Sequence, residues 1–149
     1  MKESLPEITL KPIGAVRSEI KEPTRRDCKD VVSEIVVDSS LAEALDNLDE
    51  FSHIIILYWI HKSPHQAPVK VHPRGNPENK LMGVFATRSP DRPNPIGKST
   101  VRLLERRGNI LKVRGLDAID GTPVLDIKPY IPGYDSVDNA RAPSWMVKK

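Results

Sequence analysis

The residues best suited to chemistry lie between Gly83 and Ser99, in the stretch GVFATRSPDRPNPIGKS. Arg88, Arg92 and Lys98 are interleaved there with Pro90, Pro93 and Pro95 and with the amide Asn94. Proline fixes φ, removes a backbone donor and pushes the preceding residue towards extended geometry. Three prolines at spacings of three and two therefore predict a stiff, extended loop. Such a loop holds two guanidinium forks in fixed directions at low entropic cost, which suits a phosphate, a carboxylate or the edge of an RNA base. Arg92 and Asn94 are the candidates for RNA: arginine meets phosphate, and an amide pairs with a base edge. The plainer alternative is a rigid surface connection whose arginines are only solvated.

A second constellation is DAIDGTPVLDIKPY, from Asp117 to Tyr130. Asp120-Gly121-Thr122 reads as a turn that offers successive backbone donors and a hydroxyl to a ligand. Beyond it, Asp126, Lys128 and Tyr130 fall on one face of a strand at period two. A carboxylate, an ammonium and a phenol on one face could orient a substrate or move a proton; a salt-linked polar strand face is the alternative. His61, at the end of an apolar run, is a candidate ligand contact or a strand-end histidine bonded to backbone. His61, His65 and His72 have no Asp or Glu among them and no clear metal-ligand spacing, so no metal is expected. Cys28 sits among Arg26, Asp27 and Lys29, where cations could lower its pKa, but no partner histidine is identifiable.

These groups need elements to position them. Ile8–Arg17 reads as a strand broken at Pro12 and Gly14, and Val31–Val37 as a second. Leu41, Ala44, Leu45 and Leu48 share a helical face, and Ser40 with Glu43 forms a capping-box signature, so one helix is expected from Ser40. The run SHIIILYWIH, Ser52–His61, is short and rich in β formers, and reads as a central strand buried on both faces. A proline-rich loop follows over Lys62–Asn79, then a strand over Lys80–Thr87 feeding the arginine loop. Thr100–Arg106 and Ile110–Leu116 flank a hairpin turn at Arg107-Gly108-Asn109, and Thr122–Lys128 alternates as a last strand. The expected fold is mainly β: a compact, single-sheeted β-barrel with one covering helix and long proline-rich loops, one domain over residues 1–149.

Composition narrows the function classes. Of the 14 prolines, seven lie between Pro64 and Pro95, which marks the middle as loop between more regular flanks. The chain has no run of about 18 apolar residues that would predict a membrane span. Its start, MKESLPEITL, lacks the apolar core of a signal peptide. The single cysteine excludes an internal disulfide and fits a cytoplasmic location. A net charge of +3 is mildly basic and permits a nucleic-acid partner without arguing strongly for one. Two phenylalanines, three tyrosines and two tryptophans are too few for a wide base-stacking platform. No G-x-G-x-x-G follows a strand, so the usual dinucleotide fold is not supported.

Taken together, IGAVRS, FSHIIILYWIH, GVFATRSPDRPNPIGKS and LDAIDGTPVLDIKPY resemble the TrmO (TsaA-like) tRNA methyltransferases, with matching segments from about Ile13 to about Tyr134. The resemblance implies a β-barrel that dimerises and binds S-adenosylmethionine near the subunit contact. The implied reaction is methyl transfer to the exocyclic nitrogen of threonylcarbamoyladenosine, beside the tRNA anticodon. By motif, cofactor contacts fall to His61, Lys62, Arg88, Lys98, Asp120, Gly121, Thr122 and Pro123. The family's early Arg-Gln-Pro contact has its nearest equivalent in Arg25, Arg26 and Asp27. Asp126 as base, or Tyr130 as donor to the substrate carbonyl, would assist a weakly nucleophilic nitrogen. Arg88 or Arg92 would suit the threonyl carboxylate. Many bacterial members carry a C-terminal extension; this chain ends at Lys149, like the shorter archaeal-type members. The alternatives are a barrel that binds RNA or a nucleotide without catalysis, and a methyltransferase for another RNA position or a small molecule.

Overall fold

A computed structural model describes residues 4–23 and 27–146. Six strands close an antiparallel barrel in the order β1-β2-β7-β6-β3-β8. They are β1 (Gly14–Arg17), β2 (Val32–Val37), β3 (His53–Trp59), β6 (Ile96–Arg107), β7 (Ile110–Arg114) and β8 (Pro123–Pro129). A separate two-stranded ribbon is formed by β4 (Lys70–Val71) and β5 (Met82–Gly83). Alternation fills the interior: Ile35 and Val37 from β2, Ile54, Ile56 and Tyr58 from β3, Val101 and Leu103 from β6, and Leu111 and Val113 from β7 all belong to one core. Successive side chains point to opposite faces of a strand, so the same alternation leaves Lys98, Thr100 and Arg102 on the outer wall.

Several elements differ from the sequence expectation. The first strand is shorter than expected, Gly14–Arg17, and is extended only by Ile13, whose N donates to the Val124 carbonyl and whose carbonyl accepts from Asp38 N, both at 2.8 Å; at Gly14 a Cβ would fall 2.4 Å from the Val36 carbonyl, so only glycine fits that pairing. The central strand is buried on both faces only around Ile55, while His53, Leu57 and Trp59 are half-buried. The segment expected as a strand over Lys80–Thr87 pairs only at Met82–Gly83 and then coils as a 3-10 turn over Val84–Ala86. Conversely, β6 begins at Ile96, inside the stretch expected to be loop, because the Pro95 carbonyl accepts from Ile60 N at 2.7 Å and seeds pairing with β3.

The covering helix is wound as two 3-10 turns, Ser39–Leu45 and Leu48–Glu50, separated at Asn47 by a left-handed backbone with φ of 70°. Its cap is Asp38 rather than Ser40: the Asp38 carboxylate accepts from Ser40 N and Ser40 Oγ, both at 2.9 Å. Those two bonds, backbone first, hold the Asp38 carboxyl below its ordinary range. Leu45 and Leu48 anchor the segment against the core.

Arg106 ties this cover to one end of the barrel. A bulge between Leu103 and Glu105 resets the phase of β6, so Arg106 shares a register position with the buried Leu111. Its guanidinium donates to Asp46 Oδ1 at 2.8 Å, to the Ala42 carbonyl at 2.9 Å and to the Gly108 carbonyl at 2.9 Å. Gly108 lies in the two-residue turn Gly108-Asn109 between β6 and β7, with φ of 60°. The β6–β7 hairpin and the 3-10 cover are thus closed by one side chain. Arg106→Met should lower unfolding stability by about 1–3 kcal/mol, since three carbonyl or carboxylate partners lose their donor in a mostly enclosed site. Asp46→Asn should cost less, because Asp46 is largely solvated. Urea titration of both variants checks the ranking.

Candidate active site

The opposite end of the barrel carries a cleft of about 530 Å³. Its apolar walls come from Ile20, Ile60, Ile96, Ile119 and Pro90, and its polar groups include His61, Arg88, Lys98 and Asp117. That volume lies within the ~300–1,000 Å³ range of small-molecule sites, which combine apolar walls with a few polar groups.

Tyr58 forms the floor. Gly97 faces it across the β3–β6 pairing, and a Cβ on Gly97 would fall 2.3 Å from the Tyr58 ring, so only glycine lets the strands carry the phenol there. The Tyr58 hydroxyl donates to the Asp117 carbonyl at 2.8 Å and lies 3.0 Å from Ser99 Oγ. Burial, partly opposed by the Ser99 bond, raises the Tyr58 pKa above its ordinary value. Cys28 also lines the cleft, with Sγ 3.6 Å from Asp117 Oδ1.

The Asp117–Thr122 connection reaches the cleft because Asp120 organises the facing turn. Asp120 Oδ1 accepts from Ser18 N at 2.9 Å, and Oδ2 pairs with Lys21 Nζ at 3.1 Å. The Ser18 bond first, then Lys21, hold its carboxyl below the usual range. Gly121 follows with φ of 82°, and a Cβ there would sit 3.9 Å from His61 Nε2. The DGTP turn and His61 therefore meet. His61 Nδ1 is buried and has no hydrogen-bond partner among the described residues.

The other expected site residues separate into groups. Lys62, Arg88, Lys98 and Thr122 line the cleft with His61. Lys62 is held by Glu22 at 3.0 Å, whereas the side chains of Arg88 and Lys98 have no ion pair or hydrogen bond among the described residues. Pro123 opens β8, opposite Ala15. Arg25 and Arg26 lie outside the described residues; Asp27 caps a turn by accepting from Lys29 N, while Pro23 and Cys28 on either side line the cleft.

Arg92 lines the cleft as well. Its Nη1 donates to the Thr87 carbonyl at 2.9 Å and the Ser89 carbonyl at 3.1 Å, so one arm of the fork expected to face RNA braces its own loop. The loop is stiff partly for that reason. Asn94 is exposed, and its carbonyl accepts from Ile96 N; it does not line the cleft.

Asp126 and Tyr130 are not brought to the cleft of their own chain. A bulge at Leu57/Tyr58 in the β3–β8 pairing places Asp126 opposite Leu57, in the same register row as Lys98. Two strand spacings, roughly 10 Å, separate Asp126 from Lys98 on the outer wall. There Asp126 pairs with Lys128 at 3.0 Å and accepts from Ile127 N. Tyr130 lies further down, its ring edge-on to His53 at 6.5 Å. Sequence reasoning passed over Tyr58, Ile60, Asp117 and Ile119. Their adjacency to His61 and to the DGTP turn was the available signal.

The comparisons with known proteins come to bear on this geometry. The tRNA-methyltransferase O N-terminal domain matches residues 17–136. The chain belongs to the TrmO family. An S-adenosyl-L-methionine-binding protein of Archaeoglobus fulgidus is 47% identical over 133 residues, covering 87% of this chain and 94% of that one. A Pyrococcus abyssi protein, described as a probable S-adenosyl-L-methionine-binding protein, is 44% identical over 146 residues, covering 95% and 77%. A Pseudomonas aeruginosa protein provisionally named as the S-adenosylmethionine-dependent methyltransferase RcsF is 39% identical over 141 residues, covering 89% and 61%. The crystal structure of TrmO from the same bacterium superposes with a TM-score of 0.78 at 34% identity, covering 95% of this chain and 63% of that one. This chain thus spans less than two thirds of the TrmO chain to which it is structurally similar. The TrmO fold is the barrel expected from the sequence, and the family is one of S-adenosylmethionine-dependent methyltransferases. Among the described residues no group of three His, Cys, Asp or Glu side chains could hold a metal, and no helix is long and apolar enough to cross a membrane.

The Asp120 carboxylate gives a pH prediction. Its folded pKa lies below the ordinary 3.8, so its contribution to stability is fully present above that value and lost as pH falls through the folded one. Asp120→Ala should be less stable than the parent at pH 7, and the gap should narrow on acidification to about pH 3. Thermal unfolding at the two pH values checks it.

Proposed function

We propose that this TrmO-family chain binds S-adenosylmethionine in the cleft and transfers its methyl group to the exocyclic nitrogen of threonylcarbamoyladenosine in tRNA. The observation that supports the reading most is the convergence of His61, Arg88, Lys98 and, from the DGTP turn, Thr122 on one apolar-walled cleft, with Gly121 against His61. The residues suit the donor. Apolar walls flank the space, and among the described residues His61 Nδ1 is a buried polar atom lacking a partner and the side chains of Arg88 and Lys98 stand at the cleft without one.

S-adenosylmethionine, when bound, supplies an electrophilic methyl on a sulfonium. The chain's own part is placement: oriented reactants can account for much of a methyl-transfer rate. The proposed reaction brings two carboxylates, one on the donor and one on the threonyl group, and Arg88 and Lys98 are the cations available to receive them. Arg92 keeps the Arg88 loop in shape through the Thr87 and Ser89 carbonyls. The Tyr58 hydroxyl, already engaged with Ser99 and Asp117, fixes the floor.

We read the enzyme as a homodimer, working in the cytoplasm, whose site is completed by a second copy. Flanking the β4–β5 ribbon, Val69, Leu81 and Phe85 are exposed, apolar side chains of the kind that subunit contacts cover. A second chain on that ribbon would let its outer-wall Asp126 and Tyr130 approach the first chain's cleft. In that arrangement Asp126 and Tyr130 keep the acceptor-activating roles given them by sequence.

Isothermal titration with S-adenosylmethionine and mass analysis of nucleosides from tRNA methylated in vitro test the reaction. Heat of binding with no methylated threonylcarbamoyladenosine would reject the acceptor, and no binding would reject the donor. Arg88→Ala and Tyr130→Phe should each lower methylation at least tenfold, about 1.4 kcal/mol or more in barrier. An unfolded-and-remixed pair of these variants should regain roughly a quarter of parental activity, because half the dimers then carry one intact composite site. Absence of regain would place each site within a single chain.

A further inference from the structure

The β6–β7 pairing sets Arg102 directly opposite Arg114 on the outer wall of the barrel, and both are exposed. Directly opposite side chains have Cβ atoms about 4.5–5.5 Å apart, and like charges so placed oppose folding. The next row shows what a balanced wall looks like. Glu105 faces Lys112, Lys112 faces Glu34, and Glu34 takes Arg17 at 2.6 Å and Arg107 at 3.9 Å. The Arg102–Arg114 row has no such balance. Its flanking partners are His53 on β3 and Val32 on β2. Among the described residues neither guanidinium makes an ion pair or a hydrogen bond.

The row is also placed to matter for the cleft. Lys98 precedes Arg102 on the same face of β6, and four residues of strand separate them by about 13 Å. Lys98 lies at the cleft, and Arg114 is three residues before Asp117, which lines it too. Cations therefore run from the cleft down the wall without a carboxylate partner among the described residues.

We propose that the Arg102–Arg114 pair is the docking surface for the phosphodiester backbone of the RNA whose acceptor nucleoside enters the cleft. This rests on the RNA reading given above and locates where that RNA lies. A backbone of closely spaced negative charges is the partner that turns two opposed arginines from a cost into a contact, and arginine meets phosphate with a planar fork. A second copy is the less suitable occupant, since a two-fold contact through this row would set the same cations against themselves.

The test is fluorescence anisotropy of labelled unfractionated tRNA across a sodium chloride series, with S-adenosylmethionine affinity measured in parallel by titration. The double variant Arg102→Gln/Arg114→Gln should weaken tRNA binding tenfold or more and reduce the slope of log Kd against log salt by about 1.5, as expected for two lost phosphate contacts. Its cofactor affinity should be unchanged, and its melting temperature equal or higher, because the repulsion is gone. Arg102→Lys/Arg114→Lys should keep most of the salt slope. An unchanged tRNA Kd in the Gln variant overturns the proposal while leaving the enzyme reading intact. A parental protein that binds cofactor but no tRNA overturns both. A change of mass in the Gln variant by light scattering would assign the row to a contact between copies and overturn the docking role.

Discussion

The rim of this barrel depends on the contact between Tyr58 and Gly97. The absence of a side chain at Gly97 lets the Tyr58 ring lie across the β3–β6 pairing, and the phenol then reaches the Asp117 carbonyl and the Ser99 hydroxyl. Three separate pieces of chain are joined by this one ring. The Asp117 end of the β7–β8 connection is fixed by it, and four residues on, the connection brings Gly121 against His61. A cleft whose floor is a buried, hydrogen-bonded phenol can hold its walls to a set geometry without a regular element in the loops above.

The charged side chains divide by what they are bonded to. Arg106 is spent on closing one end of the barrel, Lys21 and Lys62 on the turn beside the cleft, and half of Arg92 on its own loop. Arg88 and Lys98 stand at the cleft without such ties among the described residues. The two sets are chemically alike in the sequence. Only the fold separates a guanidinium that serves as a brace from one that is available to a ligand.

What was legible in the sequence follows the same line. Alternation and β-branched runs located β2, β3, β7 and β8 to within a few residues, because those signals are local and match burial on one side of a closed sheet. The Ser40 capping box misled because an aspartate two residues earlier competes for the same amide, and seven residues before the left-handed Asn47 favour 3-10 winding. The motifs GVFATRS, IGKS and DGTP pointed to the cleft, since residues adjacent in such motifs stay adjacent in space. The placement of Asp126 and Tyr130 was not legible. Period two correctly put Asp126 and Lys128 on one face, but which face looks at the cleft is decided by closure of the barrel and by the bulge opposite Leu57. Arg92 likewise looks identical to Arg88 until its carbonyl partners are seen.

The closure of one barrel end by Arg106 has a consequence for how the molecule breathes. Local opening is cheapest where few apolar contacts and many solvated hydrogen bonds hold the backbone. At the sealed end, Leu45, Leu111 and the Arg106 bonds join the cover to the hairpin, so amide exchange there should track global unfolding. The cleft end is ringed by the 3-10 turns, short ribbon and proline-braced loop of residues 70–95, with fewer core residues among them. The barrel can therefore adjust its rim to a guest in low-energy openings that leave the sealed end, and with it the register of all six strands, undisturbed.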